Sequence, residues 1–169
     1  QYLGQYRKIA SATAVPLCTG EDTYGKEAFR EIIQSGAFSV VHPDILTSGG
    51  ILETKKIGEI AEEHGVAMAI HNAESPIAFL AAVHVAAASR SFLALEHHSN
   101  DIPWWGDLVM GCKKPIIENG QAELPTGPGL GIQDLNDEVI REHMHSRVKG
   151  MWEDTGEWDR LWSHDRLWS

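Results

Sequence analysis

Four short apolar runs recur along this chain at nearly even intervals: VPLCT (15–19), FSVVHPDI (38–45), VAMAI (66–70) and FLALE (92–96). Between them, apolar residues fall at helical spacing. Ala28, Phe29, Ile32 and Ile33 mark a helix within 24–34, and Leu52, Ile57, Ile60 and Ala61 mark another within 51–64, stopped by Gly65. A third is expected from Ser75 as N-cap, with Pro76 in its first turn, to about Ser89. Tyr2, Leu3, Tyr6, Ile9 and Ala10 indicate a further helix ahead of the first run. Such strict alternation demands parallel strands joined by helical crossovers, hence an α/β chain, as an open doubly wound sheet or as part of a (β/α)8 barrel. Three of the runs are apolar on both faces, as parallel strands are when both faces are covered. A complete barrel takes about 250 residues, so four strands in 169 residues leave room for half of one.

After Glu96 the pattern changes. PIIENGQAEL (115–124) reads as a hairpin about Asn119-Gly120, GPGLGI (127–132) as a loop, and Asp134 to His145 as a polar helix. The expected organisation is a strand–helix body over 1–112 and a C-terminal region of hairpin, loop, helix and tail over 113–169. The last residues repeat DRLWS at 159–163 and 165–169, and Trp152, Trp158, Trp162 and Trp168 crowd into the final 18 residues. That much aromatic surface calls for a partner, either another part of the parent protein or a second subunit.

With 14 basic against 24 acidic residues the formal charge is −10, which repels phosphate backbones and anionic lipid heads and argues against nucleic acid and membrane as partners. Cys18 and Cys112 stand far apart with no metal-type spacing, which suits a reducing cytoplasm better than a disulfide framework. The chain starts at Gln1, already inside a helical pattern, which leads us to expect a fragment of a longer protein.

An ionisable residue stands at the C-terminal end of every apolar run: Glu21, Asp44, His71 and Glu96, separated by 23, 27 and 25 residues. Each interval is one strand-plus-helix unit. In parallel α/β architectures these strand ends share one face, where ligands bind and catalytic groups collect. Taken singly, any of the four suits a helix cap, a turn or a hydrogen-bonded rim; their matched placement is what points to a site.

Five short motifs, TGED (19–22), VVHPDILTSGGI (40–51), IHNAESPIA (70–78), ALEHH (94–98) and GPGLGI (127–132), resemble the C-terminal half of the mandelate racemase/muconate lactonizing enzyme branch of the enolase superfamily, above all its acid-sugar dehydratases. The resemblance runs over about residues 5 to 145. It implies strands five to eight of a modified (β/α)8 TIM barrel and removal of a proton next to a carboxylate, with Mg2+ as cofactor. It implies Glu21 as one Mg2+ ligand of three, Asp44 and His71 as a catalytic dyad, and Glu96 as the acid that hydrogen-bonds the substrate carboxylate. The implied reaction is loss of water from a small carboxylate sugar, an aldonate or aldarate. Racemase and cycloisomerase chemistry are the alternatives within the superfamily, and a non-catalytic fragment or assembly module the alternative outside it. The complete protein is expected to be a homo-oligomer.

The sequence departs from the family in lacking counterparts of the two other metal carboxylates and of the strand-two lysines. Mg2+ wants octahedral oxygen ligation from more than one carboxylate, so this chain alone is expected neither to hold the ion tightly nor to turn over. His42, two residues before Asp44, is expected on the same strand face. Asn72, His97 and Trp105 are further candidates for substrate contact, with packing or rim positions as their plainer alternatives. In AESP (73–76) Glu74 reads as part of a helix cap close to the site.

Overall fold

Helical spacing and strand-like runs become alternating elements in the computed structural model, which describes residues 2–147 together with Gly150 and Met151. In order these are α1 (Leu3–Ala12), β1 (Cys18–Thr19), α2 (Gly25–Gln34), β2 (Val40–Val41), α3 (Gly50–Glu63), β3 (Ala67–Ile70), α4 (Pro76–Ala87) and β4 (Phe92–Leu95). The strands form one parallel sheet in the order β1-β2-β3-β4, each neighbour reached by a helical crossover. Cys18 stands opposite Val40, Val40 opposite Ala67, and Ile70 opposite Leu95, with a bulge at Met68/Ala69. The sheet is half of a modified (β/α)8 barrel.

The core lies between sheet and helices. Phe29, Ile32 and Ile33 of α2, Ile57, Ile60 and Ala61 of α3, and Ala78 and Val85 of α4 pack with Val41, Met68 and Ile70 of the strands. Complete burial of a side chain such as Phe29 or Ile57 contributes about 1.5–3 kcal/mol. The fourth helix has no polar stripe, because eight of its residues, from Pro76 to Val85, are buried. Its N-cap is Ser75, as expected, but by backbone conformation alone: the hydroxyl makes no capping hydrogen bond.

Burial on both strand faces does not hold throughout. Along β3 buried residues alternate with half-buried ones, and in β4 Phe92 and Leu93 are exposed. Among the described residues the helices pack on the buried strand positions, and the alternate positions of β3 and β4 are left at least partly open. The ladders are also shorter than the apolar runs, since Pro43 has no N–H to donate and pairing beyond β2 resumes only as a bridge between Asp44 and His71.

Beyond β4 a 3-10 turn, Trp105–Leu108, leads into β5 (Val109–Met110), followed by the hairpin β6 (Ile117–Glu118) and β7 (Gln121–Ala122). Asn119 and Gly120 take φ of 51° and 74°, the left-handed pair that a two-residue hairpin turn requires. The helix expected from Asp134 starts later, because Asp134–Leu135 (β8) pairs antiparallel with β5. The helix α5 covers Asp137–Glu142 only. The chain divides into two compact units between Asn136 and Asp137. The repeated DRLWS segments and their tryptophans lie outside the described residues. Among the described residues no helix is long and apolar enough to cross a membrane, and Cys18 and Cys112 are free thiols.

Candidate active site at the strand ends

Each of the four ionisable residues sits where a strand gives way to its loop. Glu21 follows Gly20, whose φ of 143° bends the chain off β1 and whose missing Cβ leaves room for the Phe29 ring. The Thr47 hydroxyl donates to the Glu21 carbonyl at 2.8 Å, tying the first loop to the second, while the Glu21 carboxylate is 58% exposed. Asp44 is only 1% exposed. Its two oxygens are engaged differently: Oδ1 accepts the backbone N–H groups of Leu46 and Thr47 at 2.7 and 3.1 Å, closing a turn, and Oδ2 accepts a hydrogen bond from His71 Nδ1 at 2.8 Å.

The His71 backbone N–H donates to the Pro43 carbonyl at 3.0 Å, so a ladder bond fixes the dyad from below. With Nδ1–H directed to Asp44, the outward nitrogen is Nε2, and it lies 3.6 Å from Glu21 Oε2 and 3.7 Å from Glu96 Oε2. Glu96 is placed by its own N–H bonding the Ile70 carbonyl at 3.0 Å. The structure thus brings Glu21, Asp44, His71 and Glu96 into one mouth.

Electrostatics separates these groups. Burial opposes charge on Asp44, but the hydrogen bonds from His71, from the Thr47 and Leu46 amides and from Glu74 outweigh it and hold the carboxyl below its usual range. Burial likewise opposes charge on His71, and here the Asp44 hydrogen bond and the charges of Glu96, Asp44 and Glu74 prevail, so its pKa is raised. A buried carboxylate behind an imidazole fixes the tautomer and strengthens the outer nitrogen as a base.

His42 joins the cluster. Its Nδ1 donates to the Ala69 carbonyl at 2.8 Å and its Nε2 lies 3.0 Å from Glu96 Oε2, with its ring edge-on to His71 at 5.2 Å. Asn72 is buried, donates through Nδ2 to Glu74 Oε2 at 3.3 Å, and leaves its Oδ1 without a partner. His97 packs between Trp105 and Phe79, with ring centroids 4.6 and 5.7 Å away, and burial followed by the neighbouring His98 lowers its pKa. Trp105 is buried and donates Nε1–H to the Glu74 carbonyl at 2.8 Å. Trp105 belongs to a second buried cluster with Phe79, Leu80, Val83, Val109 and Ile116, and His97 packs against two of its rings.

Glu74 is the group that sequence patterns undervalue. Burial, together with the Asp44 charge, raises its pKa against the Ala73 amide bond that lowers it, and its side chain in turn helps hold the Asp44 carboxyl down. AESP gives no sign of this, because a Glu just before Ser-Pro reads equally well as helix-start chemistry. Among the described residues, two groups offer donor atoms within 4.8 Å of one another, Glu21 with His42 and His71, and Asp44 with His71 and Glu74.

Residues 1–138 match the model of the family described as enolase C-terminal domain-like. Among curated proteins the chain is 38% identical over 136 residues to the D-xylonate dehydratase of Haloferax volcanii, covering 80% of this chain and 32% of that protein. It is 33% identical over 141 residues to the D-galactonate dehydratase of Verminephrobacter eiseniae, covering 81% and 37%. It therefore spans about a third of these relatives' length. Among solved structures, a mandelate racemase/muconate lactonizing enzyme-like protein from Rubrobacter xylanophilus superposes with TM-score 0.83 at 38% identity, over 88% of this chain and 37% of that one.

Proposed function

Because the chain belongs to the enolase C-terminal domain-like family, we propose that it supplies half of the active site of an acid-sugar dehydratase, converting an aldonate or aldarate to a 2-keto-3-deoxy acid. The observation that carries this reading is the 2.8 Å bond between His71 Nδ1 and Asp44, which leaves Nε2 facing the open mouth between two carboxyl groups. Similarity to relatives named as D-xylonate and D-galactonate dehydratases supports it.

In the reaction the C–H bond next to the carboxylate breaks, its electrons enter an enediolate, and the neighbouring hydroxyl departs as water after taking up a proton. The resulting enol becomes the keto acid. His71 Nε2 serves as base for the first proton or as acid for the departing hydroxyl, and Asp44 holds the ring in position for either. Glu96 lies beside Nε2, where it hydrogen-bonds the substrate carboxylate. Asn72 and the ring packing of His97 and Trp105 keep the loop bearing His71 in place.

Sites of this superfamily use a Lys or His base with Mg2+, which when bound neutralises charge developing on the substrate carboxylate. Glu21, the exposed carboxylate of the group, is the residue of this chain that would hold it. The fit is partial: both oxygens of Asp44 are engaged by the Leu46 and Thr47 amides and by His71, and Mg2+ usually takes more than one carboxylate. We therefore expect this chain alone to bind Mg2+ weakly and to be inactive. Action in the cytoplasm, as part of a homo-oligomer, completes the reading; the two free thiols suit that compartment.

The test is to incubate the protein that carries this chain with aldonates and aldarates in the presence of Mg2+ and follow keto-acid release. Keto acid from at least one substrate, abolished by His71→Asn, is the expected result. Solvent deuterium entering the α-position without keto acid would favour racemase or cycloisomerase chemistry. Neither product nor exchange with any acid sugar would overturn the reading.

A further inference from the structure

We propose that the strand-end cluster is a binding site for a borderline divalent cation of the Zn2+ type, formed by His42 Nε2, His71 Nε2, Glu21 and Glu96, and distinct in donor chemistry from a Mg2+ site. Glu21, His42 and His71 present donor atoms within 4.8 Å of one another. Glu96 Oε2 lies 3.0 Å from His42 Nε2 and 3.7 Å from His71 Nε2, and Glu21 Oε2 lies 3.6 Å from His71 Nε2. Bonds of about 2.0–2.2 Å from Zn2+ to nitrogen and oxygen put the donors of a tetrahedron about 3.4 Å apart. Three of the six edges, at 3.0, 3.6 and 3.7 Å, bracket that length, and Glu21, His42 and His71 lie within 4.8 Å of one another, so side-chain rotations would close the remaining edges around an ion.

The second observation is the support behind each imidazole. A metal-ligating histidine is oriented by a carboxylate or carbonyl on its other nitrogen. Both histidines have one: His71 Nδ1–H donates to Asp44 and His42 Nδ1–H donates to the Ala69 carbonyl, each at 2.8 Å. Each tautomer is thereby set with the Nε2 lone pair turned into the mouth. Two imidazoles and two carboxylates suit Zn2+, Co2+ or Ni2+, whereas Mg2+ prefers an all-oxygen shell. Binding replaces the 3.0 Å contact between His42 Nε2 and Glu96 Oε2 with a bond from each to the ion. It also occupies the lone pair of His71, so such an ion would block a proton transfer at Nε2.

The assignment rests on donor geometry and not on the dehydratase reading: a protein that binds the ion but dehydrates no acid sugar keeps this site and loses that function. The test is a titration of the full chain with Co2+, read by its visible absorption, for wild type, His42→Asn and Glu21→Gln. Wild type should develop the bands of a low-coordinate Co2+ site that excess Mg2+ does not erase, and each variant should weaken binding roughly tenfold to hundredfold. Glu21→Gln guards against misfolding as the cause, because that side chain is exposed. Co2+ binding of equal strength in both variants would place the ion on other histidines of the chain and overturn the proposal. Displacement by Mg2+ at comparable concentration would do the same.

Discussion

Asp44 shows how much one buried carboxylate can organise: with one oxygen it closes the turn into α3, and with the other it sets the tautomer of His71. Behind it stands Glu74, held above the ordinary carboxylate value of 4.5 by burial and by the Asp44 charge. A carboxyl whose folded pKa exceeds its unfolded one binds more protons in the native state, so the stability it contributes is present below 4.5 and lost as pH rises through the folded value. Glu74→Gln keeps an acceptor for Ala73 and Asn72 and a donor for Asp44, and it has no proton to lose. The variant should therefore match wild type near pH 4 and become progressively more stable than it toward pH 8, measured by urea unfolding across that range. Equal stability at both ends would mean that folding does not raise the Glu74 pKa. At this scale the sequence shows which residues stand at strand ends, because a strand–helix unit has a nearly fixed length. It does not show which of them touch: the link from His42 to Glu96 and the Glu74–Asp44 contact join residues on different loops, and no local pattern encodes them.

Elements read more easily than their ends. Helices over Gly25–Gln34, Gly50–Glu63 and Pro76–Ala87 follow from the spacing of their buried residues, and the hairpin follows from Asn119-Gly120. The strand ladders are harder, since pairing stops at Pro43 and at the turn after Thr19, while hydrophobicity continues past both. The short strand Asp134–Leu135 was legible only through its partner, Val109–Met110, 25 residues upstream; polar composition alone reads as helix there. Gly20 is where element and site meet. An alanine Cβ at this position would stand 2.6 Å from Phe29 Cε1 and 3.1 Å from the backbone of His42, at a φ of 143° that L side chains avoid. Phe29 is fully buried, so its ring has little freedom to yield. Gly20→Ala should cost about 1–3 kcal/mol of stability, seen as a lower denaturation midpoint, and should shift Glu21 relative to His71. An unchanged midpoint would show that the first loop is not clamped by Phe29.

Over the whole molecule, a half barrel exposes what a closed one hides. Among the described residues β4 ends the sheet, and Leu93 and Phe92 are 60% and 39% exposed. Beside them runs a groove of about 720 Å3 whose lining includes Phe79, Val83 and Leu95. The first helix adds more apolar surface, with no buried residue of its own and with Tyr2 and Ile9 open to solvent. An unpaired parallel edge flanked by apolar side chains is a template for association, and this is the consequence of the fold that composition hides, since the overall hydrophobic content is ordinary. The opposing force is charge: at −10 per chain, two copies repel each other until salt shortens the Debye length to about 10 Å or less. These two effects have opposite salt dependence, so ionic strength decides between them. The chain should sediment as a monomer at low salt and show concentration-dependent association at high salt. Leu93→Lys, which places a charge on the edge strand without touching the buried core, should abolish that association while leaving the circular dichroism spectrum unchanged. A monomer at every salt concentration would mean that the open face is not adhesive. Association that survives Leu93→Lys would move the contact away from β4, to α1 or to the tryptophan-rich tail.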